Sequence, residues 1–277
     1  MRLGGPVFQK FDDPAGWVQA VKDAGYRACL CPVSVSTPDD VVQEYRKAIE
    51  EADIVLAEVG AWSNPLSPDE ETRKKALENC KMQLDLAERA GARCCVNISG
   101  SRGDIWDGPH PDNLTDETFD MIVETTRDII DTIQPKQTYY TIEPMPYMYP
   151  DTADNYLRLL KAVDRERFAV HFDPVNMVSS PQIYYNTGDF VRDCVKKLGP
   201  YIKSVHLKDI VIREALTVHL DEEAPGKGGF DFASLLKAVD ALGPDTPLIL
   251  EHLQTEEQYK NAAEHIRGVA KEAGVSV

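Results

Sequence analysis

Residues 138–174 read TYYTIEPMPYMYPDTADNYLRLLKAVDRERFAVHFDP, one complete turn of the pattern that decides the fold. A short β-branched and aromatic run, Thr138–Glu143, gives way to a charged amphipathic run, Thr152–Val163, and then to a second short apolar run, Phe168–Asp173. Short apolar segments alternating with longer helical ones are the signature of parallel βαβ units. Each strand candidate closes on an acid followed by proline, Glu143-Pro144 and Asp173-Pro174. Proline cannot continue a strand ladder, so each acid sits at a strand terminus.

The same alternation runs outward to both ends of the chain. Further strand candidates are Leu3–Phe8, Arg27–Pro32, Ile54–Ala61, Arg93–Ile98, Ile202–Leu207 and Leu248–Glu251. The remaining helical runs are Pro14–Ala24, Pro38–Glu51, Pro68–Ala90, Asp116–Thr132, Thr187–Lys197, Phe230–Ala241 and Glu256–Ala273. Ser67-Pro68 followed by Asp69, Glu70 and Glu71 is the clearest helix start, and Gly25, Gly91, Gly199, Gly243 and Gly274 fall where helices should stop. Eight strands and eight helices in strict alternation predict an α/β fold, a single (β/α)8 TIM barrel filling residues 1–277 as one domain. An open, doubly wound sheet is the competing architecture. The two longest connections, Ser99–Thr115 and Ile210–Gly229, both follow strands, which puts them on the face where barrel enzymes carry their active sites.

Composition limits the partners. The chain has 277 residues, with 30 Lys+Arg against 46 Asp+Glu and a formal net charge of −16. That balance opposes nucleic acid and anionic membranes, which need a basic footprint, and leaves neutral small molecules and metal cations compatible. Cys29, Cys31, Cys80, Cys94, Cys95 and Cys194 lie in apolar, strand-like or helical runs and read as reduced thiols of a cytoplasmic protein. The first residues, MRLGGPVFQKFDD, do not read as a signal peptide, and no stretch approaches the ~20 apolar residues of a membrane span.

The chemical signal lies at the ends of the last four strands. Glu143, Asp173, His206 and Glu251 are separated by 30, 33 and 45 residues, one βα unit each, the last lengthened by the connection after strand 7. Neighbouring barrel strands would bring all four to one part of the rim. Period-2 alternation puts Ile249 with Glu251, and Ser204 with His206 and Lys208, on the inward side. Singly, each residue has an ordinary reading as a solvated charge, a helix cap or a packed histidine. Jointly, three carboxylates and an imidazole make a hard, oxygen-rich site for one divalent metal, with Mn²⁺ the first expectation and Mg²⁺, Co²⁺ or Zn²⁺ as alternatives. Without a cation, converging acids would raise one another's pKa values.

These segments, EP at 143–144, HFDPVN at 171–176, SVHLKD at 204–209, PGKGGFD at 225–231 and LILEH at 248–252, resemble the xylose-isomerase-like superfamily of sugar isomerases and epimerases, which also contains endonuclease IV-type folds. In its ketose 3-epimerase branch a metal is held by Glu, Asp, His and Glu at the ends of strands 5 to 8, which match Glu143, Asp173, His206 and Glu251. The resemblance further implies that Glu143 and Glu251 form an acid/base pair, moving a proton α to a carbonyl through a metal-stabilised enediolate. Members of the family often form dimers or tetramers, so a homo-oligomer is compatible. One departure stands out. Where the family commonly has a histidine three residues after the strand-6 aspartate, this chain has Asn176.

The remaining candidates support a small carbohydrate substrate. Lys208 would polarise a substrate oxygen or pair with Asp209. Arg213 would clamp substrate hydroxyls or a phosphate, Trp62 would stack on a sugar face, and Asn64, Asn97, Ser99, His110 and Asn176 would contact substrate. His171, one layer below Asp173, is expected to pack behind the site, and His252 to point away from it. The PGKGG loop reads as a flexible segment. The leading function is a metal-dependent sugar isomerase or epimerase. The alternatives are a lyase or deglycosidase acting on a modified sugar, and a non-catalytic subunit that binds metal and polyol.

Overall fold

The computed structural model describes residues 1–277. Its eight core strands are β1 (Arg2–Gly4), β2 (Ala28–Leu30), β3 (Val55–Gly60), β4 (Cys94–Asn97), β5 (Tyr139–Ile142), β6 (Phe168–Phe172), β7 (Ile202–Leu207) and β10 (Pro247–Leu250). All pair in parallel and close into a barrel, with β1 and β10 joined through Leu3↔Leu248 and Gly4↔Ile249. Closure leaves no unpaired edge and rules out the open sheet. The helices α1 (Pro14–Asp23), α2 (Asp39–Glu51), α3 (Glu70–Ala90), α4 (Asp116–Ile133), α5 (Ala153–Val163), α6 (Pro181–Tyr184), α7 (Thr187–Leu198), α8 (Phe232–Asp240) and α9 (Glu256–Ala273) surround it. No helix is long and apolar enough to cross a membrane.

Local chemistry explains the boundaries. Asp13, Asp69, Thr115, Thr152, Asp231 and Thr255 accept a backbone N–H in the first turn of their helices, satisfying donors that the helix cannot. The start of α3 is therefore Asp69 rather than Ser67-Pro68. Gly91 and Gly274 end α3 and α9 at φ +74° and +75°, the left-handed conformation that glycine adopts without strain. Gly199 also follows a helix but continues right-handed into a 3-10 turn.

A core of 59 buried residues fills the layer between strands and helices, with Leu84, Ile129, Leu159 and Leu235 fully enclosed. Inside the barrel, Ala28, Ala57 and Ile249 form a small separate cluster. Two register shifts interrupt the strand alternation. On β2/β3, Cys29 pairs with Leu56 but Leu30 pairs with Glu58. On β6/β7, Val170 pairs with Ile202 but His171 pairs with Ser204. Each extra residue, Ala57 and Lys203, is a bulge that re-aims the side chains after it.

The connection after β7 is not an irregular loop. Asp209–Arg213 (β8) and His219–Glu223 (β9) form an antiparallel hairpin standing over the barrel mouth. Nor is the glycine segment after it loose. The buried Asp209 carboxylate accepts the N–H groups of Ile210, Gly226, Gly228 and Phe230 at 2.8–3.0 Å, so Asp209 organises this loop instead of pairing with Lys208.

Candidate metal centre

Glu143, Asp173 and Glu251 each stand one residue beyond a barrel strand, and His206 lies within β7. Their ligand atoms all fall within 4.8 Å of one another. His206 Nδ1 is 2.8 Å from Glu251 Oε1, 3.3 Å from Glu143 Oε1 and 3.8 Å from Asp173 Oδ2. Asp173 is completely buried, and its Oδ1 accepts the N–H groups of Val175 and Asn176. That turn fixes the carboxylate and leaves Oδ2 facing the cluster without a hydrogen bond, as Glu251 Oε1 also is. Two buried carboxylate oxygens that accept no well-directed hydrogen bond, beside an imidazole nitrogen and a third carboxylate, fit a hard divalent cation.

In the protein alone, Lys208 answers this concentration of charge. Its Nζ lies 2.6 Å from Glu251 Oε1, 2.7 Å from Asp173 Oδ2 and 3.6 Å from both Glu143 Oε1 and Glu222 Oε2, close enough for strong attraction but without well-directed hydrogen bonds to the first two oxygens. Burial works against the ammonium, yet Asp173, Glu251 and Glu143 outweigh it and hold its pKa well above the usual lysine range. Burial likewise opposes the charge on His206, and Glu251, Glu143 and Glu58 reverse the effect. For Asp173 burial prevails. Burial pushes its carboxyl up to about 7, Glu143 and Glu251 add to the rise, and Lys208 opposes it.

Behind His206 lies a residue that sequence reasoning missed. The buried Glu58 takes the hydrogen of His206 Nε2 at 3.1 Å, of His171 Nε2 at 2.8 Å and of Ser204 Oγ at 3.0 Å. A carboxylate on Nε2 leaves Nδ1 as the ligating nitrogen and fixes the ring. His171 thus packs behind the site, its ring edge-on to His206 with centroids 4.0 Å apart. The available signal was a lone acid inside the apolar run IVLAEVGA. The bulge at Ala57 hides its direction, since simple alternation puts Glu58 with the outward-facing Leu56.

The cluster opens into a cavity of about 940 Å³. Asn176, which lines it, donates to Glu143 Oε1 at 3.0 Å and accepts from Lys208 Nζ at 3.3 Å. Trp62 stands in the wall, 45% exposed, between this cavity and a smaller one of about 410 Å³ that also reaches Glu58, His206 and Glu251. Trp106, Tyr147 and Glu222 line the larger cavity without having been singled out from the sequence. His252 lines it too, contrary to expectation. β10 has already ended at Leu250, and His252 takes φ +58°, turning its ring onto Glu222 at 3.1 Å.

Several expected substrate contacts lie elsewhere. Asn64 is buried, donating to the Ser101 carbonyl and accepting from the Leu66 N–H. Asn97 is fully enclosed, tying β4 to Ser63 through both ends of its amide. His110 caps a 3-10 turn by accepting the Asp112 N–H, while Trp106 and Asp107 of the same connection reach the cavity instead. Arg213 is neutralised on its own hairpin by Asp221 at 2.9 Å and Glu223 at 3.0 Å. Ser99 is buried and outside the cavity lining.

Comparison with known proteins agrees with this architecture. Residues 18–269 match the family model described as xylose isomerase-like TIM barrel. No curated protein matches the chain by sequence. Among solved structures, D-psicose 3-epimerase from Clostridium cellulolyticum H10, determined with D-tagatose, superposes over 100% of both chains at 15% identity and a TM-score of 0.69. A xylose isomerase-like TIM barrel protein from Mycobacterium smegmatis in complex with magnesium aligns over 95% of this chain and 90% of that one at 17% identity, TM-score 0.67. Endonuclease IV from Thermus thermophilus aligns over 98% of this chain and 100% of that one at 14% identity, TM-score 0.73. Identities this low speak for the fold alone. The family match spans nearly the whole chain, and the chain belongs to the xylose isomerase-like TIM barrel family.

Proposed function

We propose that the protein is a divalent-metal-dependent isomerase or epimerase of a sugar or sugar-like hydroxy-carbonyl substrate. The observation that carries the reading is the convergence of Glu143, Asp173, His206 and Glu251 within 4.8 Å, beside a cavity large enough for a small molecule. Manganese is the first candidate ion, with magnesium, cobalt and zinc as alternatives. A dication bound there would supply positive charge beside an oxygen that becomes anionic during reaction. Glu143 and Glu251 enter from β5 and β10, which are separated in the ring by β6 and β7, and so approach a substrate from different sides. One carboxylate would take the proton from the carbon next to the carbonyl while the other, as its carboxylic acid, delivers a proton to the opposite face, which inverts that carbon. Protonation of the former carbonyl carbon instead, with a hydroxyl proton passing between the two oxygens, would move the carbonyl along the chain. Lys208 would stabilise a developing oxyanion, and Asn176, hydrogen-bonded to both, would hold Lys208 and Glu143 in register.

The cavity wall and the overall charge favour this reading over the nucleic-acid chemistry of the endonuclease relative. Glu143, Glu222, Glu251 and Asp107 line the cavity and no arginine does, the reverse of a phosphate-backbone track. Six free cysteines and no disulfide fit a reducing, cytoplasmic setting. The test is metal-loaded protein incubated with a panel of ketoses in D2O, with exchange at carbon-bound hydrogens as the readout. Exchange abolished by EDTA and restored by Mn²⁺ is expected, and Glu251→Gln should lower it by about 10²–10⁴-fold, the usual worth of a positioned acid/base group. Metal binding with no exchange for any substrate would favour a non-catalytic binding role. Release of a leaving group instead of proton return would favour cleavage of a modified sugar.

A further inference from the structure

The cavity above the cluster is larger and more apolar than chemistry on one sugar ring requires. Its volume of about 940 Å³ lies near the top of the ~300–1,000 Å³ spanned by small-molecule sites, so a single sugar ring would leave much of it unfilled. Its polar groups gather beside the cluster, where Glu143, Asn176, Lys208 and Glu251 adjoin the Glu222–His252 pair. Most of the remaining wall is apolar, with Ile98, Val175, Val178, Ile210, Val218 and Leu220 as its aliphatic part. Trp62, Trp106 and Tyr147 complete it, standing 39–45% exposed to the cavity and solvent.

Sugar hydroxyls do not fit such a wall. An aromatic ring can cover the C–H face of a pyranose, but an aliphatic surface leaves each buried hydroxyl without a partner, and every such loss costs binding free energy. Away from the cluster the side-chain partners are Asp107, Ser179, the Tyr147 hydroxyl and the indole N–H groups of Trp62 and Trp106, few for a wall of this extent. A phosphate fits no better. The lining cations are Lys208, already surrounded by four carboxylates, and His252, turned onto Glu222. Arg213, at the end of β8, is held on its hairpin by Asp221 and Glu223.

We infer that the substrate is an unphosphorylated sugar-like molecule carrying an apolar, ring-sized appendage. The sugar end lies against the cluster, and the appendage is held by Trp62, Trp106 and Tyr147 against Val218 and Leu220 of the hairpin region. The orientation of the sugar end rests on the function proposed above. The apolar wall stands independently of the reaction.

Isothermal titration of the metal-loaded protein with matched phenyl and methyl glycosides of glucose, galactose and xylose tests the inference. Burying one ring's worth of apolar area is worth about tenfold or more in affinity, so the phenyl member should bind at least that much tighter in one or more pairs. Trp106→Ala and Leu220→Ala should each reduce the phenyl-to-methyl ratio several-fold. Equal affinities within every pair overturn the inference, as does a ratio unchanged in both variants or tighter binding of a sugar phosphate than of its parent sugar. The two readings fail separately. Ketose exchange without a phenyl preference removes the appendage and leaves the reaction, whereas a phenyl preference without exchange on any substrate removes the reaction and leaves the appendage.

Discussion

Replacing Glu58 by glutamine tests whether the site depends on a carboxylate that does not line the larger cavity of about 940 Å³. In the native arrangement Oε1 accepts from His206, while Oε2 accepts from both His171 and Ser204. A glutamine has one oxygen and one NH2 to divide among these three donors. With its NH2 toward His206, the imidazole must turn its lone pair to Nε2 and carry hydrogen on Nδ1, the atom aimed at Glu143 and Glu251, which blocks ligation. With its oxygen toward His206 the tautomer survives, and His171 and Ser204 adjust. His171 Nδ1 has no partner, so its ring can change tautomer at little cost, but the negative charge behind His206 is lost. Either way metal affinity falls. Loss of such an outer carboxylate typically lowers it about 10–100-fold, or ~1.4–2.8 kcal/mol, with the blocked tautomer at the upper end. Mn²⁺ affinity is read directly from the paramagnetic resonance of the free ion, with no substrate needed, and far-ultraviolet dichroism checks that the variant is folded. A folded variant that binds Mn²⁺ within twofold of the parent would refute the coupling between Glu58 and His206.

Two further substitutions probe the frame around the site. Asp209→Asn must set an NH2 against the Gly226 and Gly228 N–H groups or against those of Ile210 and Phe230, so about 2–3 kcal/mol of stability should be lost, seen as a lower melting temperature and faster proteolysis at 224–229. Gly60→Ala would bring a Cβ to 2.3 Å from Trp62 Nε1, displacing the indole from the wall between the two cavities. Tryptophan emission should shift and phenyl glycoside affinity fall, whereas unchanged emission would show that the indole had not been held there.

The barrel was legible because its signals are local and repeated. Each strand is a short apolar run, the helices are amphipathic and most are capped by a side chain, and all eight strands of the sequence reading correspond to barrel strands within a few residues. The convergence of the four candidate ligands was legible for a related reason, since Glu143 and Asp173 precede prolines and Glu251 and His206 sit at matching heights on neighbouring strands. What escaped depends on departures from regularity. Glu58 faces inward only because of the bulge at Ala57. His252 faces the cavity only because the strand stops at Leu250 and the backbone turns left-handed. The hairpin of β8 and β9 lacks the Asn-Gly or Asp-Gly turn that would have announced it. Asn64, Asn97 and Arg213 occupy sensible positions for contacting a substrate, but each has a tertiary partner that no spacing rule anticipates.

Stability alone would not select this arrangement of charges. Glu58, Glu143, Asp173 and Glu251 crowd around His206 and Lys208, and taking so many carboxylates out of water costs more than two buried cations return, whereas apolar side chains of similar size would pack there without penalty. The surrounding structure shows what opposes collapse of the cluster. Backbone N–H groups hold Asp173 from one side, Asn176 bridges Glu143 and Lys208, and Glu58 holds His206 from below. Groups kept in place at such a cost, with two carboxylate oxygens that meet Lys208 only as ion pairs and accept no well-directed hydrogen bond, support the proposed role in holding a cation. A dication bound there would satisfy those oxygens directly. Asn176 adds no titratable group to the cluster, so under the proposed function proton transfer would fall to the two glutamates while the asparagine orients Glu143 and Lys208 through one donor and one acceptor.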